Sequence, residues 1–409
     1  MPKLPPLVKI ILTEAAAVGN FPLGAGYYVV RGNSDRVVHR GREIAAEYLA
    51  MIDVGLIGFG FSGRAFHAPV IHAVPGLRLA AILQRSGDEA AQLYPGTLIV
   101  RSLDELLAKR EIRLIVIATP NDTHYSLARQ CLAAGRDVVV DKPFTPTLKE
   151  AVELVRFAGE RGRLLTVYQN RRYDGDFQAV QQIVSSGSLG RIVRFESNYD
   201  RFRPQLKQGA WRERSIAGAG ILFDLAPHLI DHALVLFGLP EAISADIRIE
   251  RDSAIVDDSF DLTFYYPSDC RAILRATMLA ATLRPRFVLF GTAGAYVKHS
   301  FDVQEPKLRA GRIPWDEQPT QAELEENSGV LTLANADGTS VDRRIPPGPL
   351  DYRAYYANVR DAMLGRAQLA VSPQHALNVM RILELARESS HRHCTIPWTH
   401  SETRSASES

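Results

Sequence analysis

From residue 51 onward, apolar positions fall into short dense blocks separated by mixed stretches, and the spacing of the blocks predicts the architecture. Ile52–Ile57, 77–83, 113–118 and Asp137–Val140 are nearly unbroken apolar runs of strand length, with 97–100 and 164–168 as shorter counterparts. Such runs suit strands buried on both faces, as in a parallel sheet covered by helices. Helical segments lie between them at 64–73, 88–93 and 103–109. Two more run from Thr123 to 134, closed by Gly135, and from Leu148 to about 158, ended near Gly159. Six strands alternating with helices predict an α/β domain with a doubly wound parallel sheet.

After Asn170 the rhythm changes. A helix at 177–184 leads to an alternating stretch at 191–200, where apolar and polar positions trade places. A longer helical segment at 219–237 is followed by strand candidates at 245–249, 260–266, 272–278, 287–290 and 295–298. Strands in succession without helices between them predict an α+β domain on an open, largely antiparallel sheet. Residues 302–350 are rich in Pro, Glu and Gly, with a hairpin near Gly338, and helices at 352–364 and 373–390 close the chain. Pro227 sits inside the 219–237 segment and is expected to mark its first turn or a kink. The expected division is an extension at 1–50, a first domain at 51–170, a second at 171–398 and a tail at 399–409.

Composition adds mainly exclusions. The chain has 409 residues, 46% hydrophobic and 23% charged, enough for two domains with real cores. A net charge of +2 without a dense Lys/Arg block argues against a nucleic-acid partner. Three scattered cysteines make no disulfide framework, so a reducing cytoplasm is the expected compartment. The apolar runs read as shorter than a bilayer span, and no membrane association is expected. Residues 1–50 lack a sustained period, whereas an orderly pattern begins at Met51. They are expected to be a disordered extension or an over-called gene start, and the Ser-rich 399–409 a floppy tail.

The first apolar run feeds directly into Gly58-x-Gly60-x-x-Gly63. A glycine-rich turn alone can be plain structure. Placed between a strand and a helix, with a second strand to follow, it predicts a Rossmann dinucleotide site. Gly58 makes the tight turn, Gly60 admits a pyrophosphate to the backbone and Gly63 lets the helix approach the strand. The helix start offers N–H groups to the phosphates. The second strand ends Ile82-Leu83-Gln84-Arg85-Ser86, without the acid that would bind an NAD ribose. Arg85 and Ser86 can instead neutralise and hydrogen-bond a 2′-phosphate, which predicts NADP over NAD, although a solvated loop arginine is the plainer alternative.

Two places carry candidate chemistry. Lys142, in Asp141-Lys-Pro143, follows a buried strand at the sheet edge where ligands bind, although a lysine there can also be a snorkelling surface charge. Asp224 and His228 stand four apart on the long helical segment and share a face, with Asp231 one turn on. An i, i+4 pair of this kind is often only a surface ion pair. Gly218-Ala-Gly220 just before it suggests close backbone approach. Taken together, the groups suit oxidation of a secondary hydroxyl. His228 takes the proton, a neighbouring carboxylate sets its tautomer, and Lys142 steadies the developing alkoxide.

These residues resemble the Gfo/Idh/MocA oxidoreductases. The resemblance is carried by Gly58-Phe59-Gly60, Thr119-Pro120-Asn121-Asp-Thr-His124, Asp141-Lys142-Pro143 and Gly220…Asp224-x-x-x-His228-x-x-Asp231, and runs from Met51 to about Trp398. Phe66-His-Ala-Pro69, Gln169-Asn-Arg-Arg-Tyr-Asp-Gly-Asp176 and Asp200-Arg-Phe-Arg-Pro204 look like its NADP-dependent scyllo-inositol dehydrogenase branch. The resemblance implies catalytic Lys142, Asp224 and His228, and a Lys142–Pro143 bond that is cis, as in relatives. It implies cofactor contacts from the glycine turn, Phe59, Pro120, Asn121, His124 and Lys142, and a substrate-side Asn170. A homodimer or homotetramer formed through the second-domain sheet is implied as well. Asp141 stands where many members have Glu.

Lesser candidates remain open. His67 lines the crevice or is structural. Arg171, Arg172 and Tyr173 contact a polyol or carboxylate, or the arginines form an interdomain salt bridge. Asp176, Asp200, Arg203 and Trp211 carry weaker signals. His391, His393 and Cys394 lack metal-ligand spacing, so no metal is expected. Two functions compete: an NADP-dependent dehydrogenase of a cyclitol or sugar, and a non-enzymatic NADP- and sugar-binding regulatory sensor. Lys142, Asp224 and His228 together favour the enzyme, since a sensor needs no base.

Overall fold

The structure, a computed structural model, describes residues 51–398 except 208 and 210–212. The expectations for 1–50, for the tail and for Trp211 lie outside the described residues. Strands β1 (Ile52–Ile57), β2 (Leu77–Leu83), β3 (Leu98–Val100), β4 (Ile112–Ile117), β5 (Asp137–Val140) and β6 (Leu165–Val167) form one sheet. Its order is β3-β2-β1-β4-β5-β6 and every pairing is parallel. Its apolar runs are buried as expected, with Val54, Leu56, Ile115, Val116 and Val139 fully enclosed. Helices α1 (Ala68–His72), α2 (Glu89–Leu93), α3 (Leu103–Leu107), α4 (His124–Ala133) and α5 (Leu148–Glu160) make the connections. Thr147 and Glu150 form a full capping box at the start of α5. That helix runs through Gly159, and the positive φ comes instead at Gly162.

The strand order reverses between β1 and β4, which opens a crevice at their carboxyl ends. Gly58 leaves β1 there with φ +96°, and a Cβ on it would meet the Ala118 carbonyl oxygen at 2.7 Å. A Cβ on Gly63 would lie 2.1 Å from the Gly58 oxygen, so the chain after the turn packs directly on the turn. The segment read as a regular helix at 64–73 is instead a wide π-type turn, Gly63–His67, before α1. Pro69 explains the change, because it has no N–H to continue an α ladder.

The second half comprises α6 (Gly175–Ser186), β7 (Ile192–Asn198), α7 (Gly220–Phe237), β8 (Ala242–Arg248), β9 (Ser259–Tyr265), β10 (Arg271–Thr277), β11 (Phe287–Gly291) and β12 (Gly294–Lys298). It continues with α8 (Gln304–Arg309), α9 (Gln321–Glu326), β13 (Gly329–Ala334), β14 (Ser340–Ile345), α10 (Arg353–Met363), α11 (Pro373–Arg392) and β15 (Ile396–Pro397). Nine strands lie in the order β14-β13-β12-β11-β7-β10-β9-β8-β15. Only β7 with β10 pairs in parallel among the described residues, so the sheet is mostly antiparallel as expected. The short helices α8 and α9 fall where the sequence suggested only loop and hairpin.

Two points correct the sequence reading. By length and composition α7 could cross a bilayer, yet 83% of it is buried inside the protein as the core helix over the second sheet. Pro227 lies well inside α7, which removes the first-turn alternative and leaves the kink. The last long helix, α11, packs on α5 and β6 of the first half and on α7 and β8 of the second.

Adding one methyl at Gly63 tests the packing of the turn. With a backbone oxygen as the obstacle, Gly63→Ala should cost about 1–3 kcal/mol in chemical denaturation; an unchanged midpoint would show that the turn is not held this way.

Candidate active site

The strand order sets where the chemistry gathers. Lys142 leaves the carboxyl end of β5, one residue after Asp141, and its bond to Pro143 is cis as the resemblance implied. Its Nζ crosses to α7, donating to the Asp224 backbone oxygen at 2.8 Å and to Oδ1 at 3.2 Å. Arg201 Nη1 approaches Asp224 Oδ2 at 3.5 Å from the segment after β7. One carboxylate thus gathers an ammonium from one sheet and a guanidinium from the other.

Asp141 fastens Lys142 to the glycine turn. Its carboxylate accepts from Ser62 Oγ at 2.5 Å and from the Lys142 backbone N–H at 2.8 Å. His67 Nε2 lies 3.6 Å from it. Burial pushes the Asp141 carboxyl up, but His67, Lys142 and Ser62 outweigh burial and hold it below the usual carboxylate range. His67 is itself fully buried, with Nδ1 2.6 Å from the Tyr356 hydroxyl and its ring against Tyr168, so it is structural and does not line the crevice.

His228 follows Asp224 by one turn and is buried. Its Nδ1 has no hydrogen-bond partner among the described residues. Burial, then Lys142, Arg171, His232 and Arg286, push its pKa well below 6.5. The ring is therefore neutral at neutral pH, as a base must be. Among the described residues, no carboxylate is hydrogen-bonded to His228 Nδ1. Asp224 is engaged by Lys142 and Arg201, while Asp231 binds Arg172 in a bidentate pair and His375 Nε2 at 2.7 Å. Charged donors outcompete a neutral imidazole for a carboxylate.

The remaining candidates separate clearly. Arg172 makes a salt bridge to Asp231, two bonds of 2.7 Å each, and its Nη1 donates to the Ala370 oxygen at 2.5 Å. Both residues of that pair lie in the second half, so it is not the interdomain bridge of the alternative reading. Asn170 opens the turn after β6 and is nearly buried. Asn121 donates to the Gly218 oxygen at 2.8 Å, and its own buried Oδ1 has no partner among the described residues. Gly218 has φ +77° and no room for a Cβ against that amide, so the close approach expected there is made by protein. His124 is buried with both ring nitrogens 2.9 Å from backbone oxygens, those of Pro143 and Thr119. Burial lowers its pKa, so the ring is neutral and its single N–H donates to one of these two oxygens. Phe59 buries its ring against Tyr94, so only its backbone faces the turn.

These groups fit a bound dinucleotide. Gly60 is exposed, and a Cβ there would meet nothing of the protein within 4 Å. Pro120, Arg85 and Ser86 are also exposed at the carboxyl ends of β4 and β2. The sequence reading missed Arg101, whose Nη1 donates to the Gln84 and Gly87 oxygens at 2.8 Å and so shapes the loop carrying Arg85. Nothing local marks it, because its partners lie a strand away. Arg201 was missed as an individual residue, although the Asp200-Arg-Phe-Arg-Pro204 motif had drawn notice.

Comparison with known proteins supports the division of labour between the halves. Residues 52–169 match a model described as the oxidoreductase family, NAD-binding Rossmann fold, and residues 177–297 one described as the GFO/IDH/MocA C-terminal domain. The chain is 41% identical over 346 residues to the uncharacterized oxidoreductase YdgJ of Escherichia coli, covering 84% of this chain and 98% of that protein. It is 35% identical over 349 residues to the NADP(+) scyllo-inositol 2-dehydrogenase IolW of Bacillus subtilis, covering 85% and 96%. A crystal structure of an oxidoreductase from Bacillus cereus superposes with a TM-score of 0.77 at 33% identity, covering 86% of this chain and 100% of that one.

The buried neutral His228 has a consequence for stability. Its folded pKa lies below 6.5, so as pH falls below that value the unfolded chain takes up the proton first and stability is lost. Removing it in His228→Asn removes that loss. The Tm of wild type minus that of the variant should shrink between pH 7.5 and 5.5 in thermal melts; a constant or growing difference would show that His228 is not held neutral.

Proposed function

We propose, for a chain that belongs to the Gfo/Idh/MocA family of oxidoreductases, an NADP-dependent dehydrogenation of a secondary hydroxyl on a cyclitol or sugar. The observation that carries this reading is Lys142 Nζ on Asp224 with neutral His228 one turn further along α7. The glycine turn would hold the pyrophosphate, and Arg85 and Ser86 the 2′-phosphate; NADP, when bound, supplies the acceptor for a hydride. The similarity to IolW supports both the nucleotide and the substrate class.

The protein's own groups would handle the proton and the charge. His228 accepts the hydroxyl proton, and burial among positive groups keeps it free of one beforehand. Lys142 offers an ammonium to the oxygen as negative charge builds there. Asp224 acts on Lys142 rather than on His228, holding the ammonium from the far side of the cleft. Asn170, almost enclosed at the end of the first sheet, is the remaining polar group proposed on the substrate side. Assembly as a homodimer or homotetramer through the nine-stranded sheet, where Phe290 and Val341 are exposed, is part of the same reading and is decided by light scattering.

A panel of inositols and sugars assayed with both nucleotides tests the reaction. Wild type should reduce NADP with at least one of them at a higher kcat/KM than NAD, and Lys142→Ala should lose roughly a hundredfold or more. Turnover of none, with binding of NADP retained, would leave the sensor reading instead. A marked preference for NAD would remove Arg85 and Ser86 as the nucleotide selectors.

A further inference from the structure

The arginines around the cleft are not equally occupied. Arg172 is used by Asp231 and Ala370, Arg284 by Asp200, and Arg251 by Asp258 and Glu213. Arg201 differs. Its side chain is 18% exposed, yet among the described residues its five donors have one marginal bond, the 3.5 Å approach to Asp224, and its ring contact is the face of Tyr199. None of its nitrogens is sealed from solvent without a partner, so the unused donors are open to solvent. Arg203, two residues on and exposed, has no side-chain hydrogen bond or ion pair among the described residues.

The neighbours of Arg203 fix where this cluster lies. Burial, then Arg201 and Arg309, lower its pKa, while Asp224 acts in the other sense. Arg309 in turn lies 4.8 Å from the ring centroid of Phe61, within the glycine turn, and pairs with Glu305. Arg201 on Asp224 and Arg309 on Phe61 place these charges between the glycine turn and the face of α7 that carries Asp224, with Arg203 two residues on from Arg201. Lys142, Arg171, Arg201, Arg203 and Arg309 are met here by the carboxylates of Asp224 and Glu305, with Asp174 on Arg171 and Asp141 beside Lys142. Among the described residues, Arg201 and Arg203 are the cations of this group least engaged by a carboxylate. Guanidinium groups with free forks match carboxylate and phosphate oxygens, whereas a neutral hydroxyl satisfies one donor without compensating the charge.

We propose that Arg201 and Arg203 form an anion subsite and that the substrate is a polyol or sugar carrying a carboxylate or phosphate group. The proposal rests on the dehydrogenase reading above for the reaction, while the subsite itself rests on the two arginines. It assigns a use to the Asp200-Arg-Phe-Arg-Pro204 motif that the proton chemistry leaves idle.

Full-length enzyme assayed on matched sets tests it: glucose with glucuronate and glucose 6-phosphate, and myo-inositol with an inositol monophosphate, each with NADP. An anionic member should exceed its neutral partner in kcat/KM by roughly tenfold or more, the scale of one charge-assisted hydrogen bond. The carboxylate and phosphate arms show which anion is taken. Arg203→Gln should raise KM for that anion by a similar factor and leave KM for NADP within about twofold. Equal or better turnover of the neutral members would overturn the subsite while leaving the dehydrogenase intact. A rise confined to KM for NADP would assign the arginines to the cofactor phosphates and overturn it equally. If no compound is oxidised, the dehydrogenase reading fails, and calorimetry with glucuronate and glucose 6-phosphate decides the subsite. Binding of either that weakens in Arg203→Gln upholds it, and binding of neither, or binding unchanged by the variant, overturns it.

Discussion

The reach of Lys142 from the first sheet to Asp224 on the core helix of the second half is the contact on which the site depends. Each group alone is unremarkable, a lysine at a strand end and a carboxylate on a helix. Joined at 2.8 and 3.2 Å, they fix the separation of the two walls of the cleft. They also place an ammonium one helical turn from a neutral imidazole. Three further fastenings keep the lysine's own loop in register. Asp141 ties it to Ser62 of the glycine turn, His124 sits between the oxygens of Pro143 and Thr119, and Asn121 holds Gly218 ahead of α7. The glycine turn, the lysine loop and the start of α7 are thus held by contacts that cross between them.

The electrostatics of the cleft follow from burial acting on unlike groups. Carboxylates there are held below the usual range because donors and cations reach them against the pull of burial: Asp141 by His67, Lys142 and Ser62, Asp231 by Arg172 and His375. Histidines are held neutral because they are buried among cations: His228 and His232 both lie well below 6.5. A base that carries no proton and a neighbouring ammonium are what the proposed removal of a hydroxyl proton requires.

Much of this was legible in the chain, and the misses have physical causes. The buried strands β1, β4 and β5 announce themselves because a strand enclosed on both faces must be apolar throughout. Gly58, Gly63 and Gly218 were legible because each meets a neighbouring atom too closely for a side chain. What failed were statements about partners. The i, i+4 spacing correctly put Asp224 and His228 on one helix, but spacing says nothing of Lys142 or Arg201, which take Asp224 from 82 and 23 residues away. Arg172 read as a ligand group because Asp231, 59 residues on, could not be seen as its partner. Helices α8 and α9 went unseen because a single turn or two lacks the apolar period that marks longer helices. The bilayer-length apolar stretch of α7 was passed over because Asp224, His228 and Asp231 interrupt it.

The central claim is that Asp224 acts through Lys142 and not through His228. A double-mutant cycle on kcat/KM with Lys142→Met and Asp224→Asn measures this most directly. The account predicts strong non-additivity, with the double variant little worse than the poorer single variant, while Asp224→Asn combined with His228→Asn comes closer to additive. Additive losses for Lys142 and Asp224, with coupling found between Asp224 and His228 instead, would contradict it.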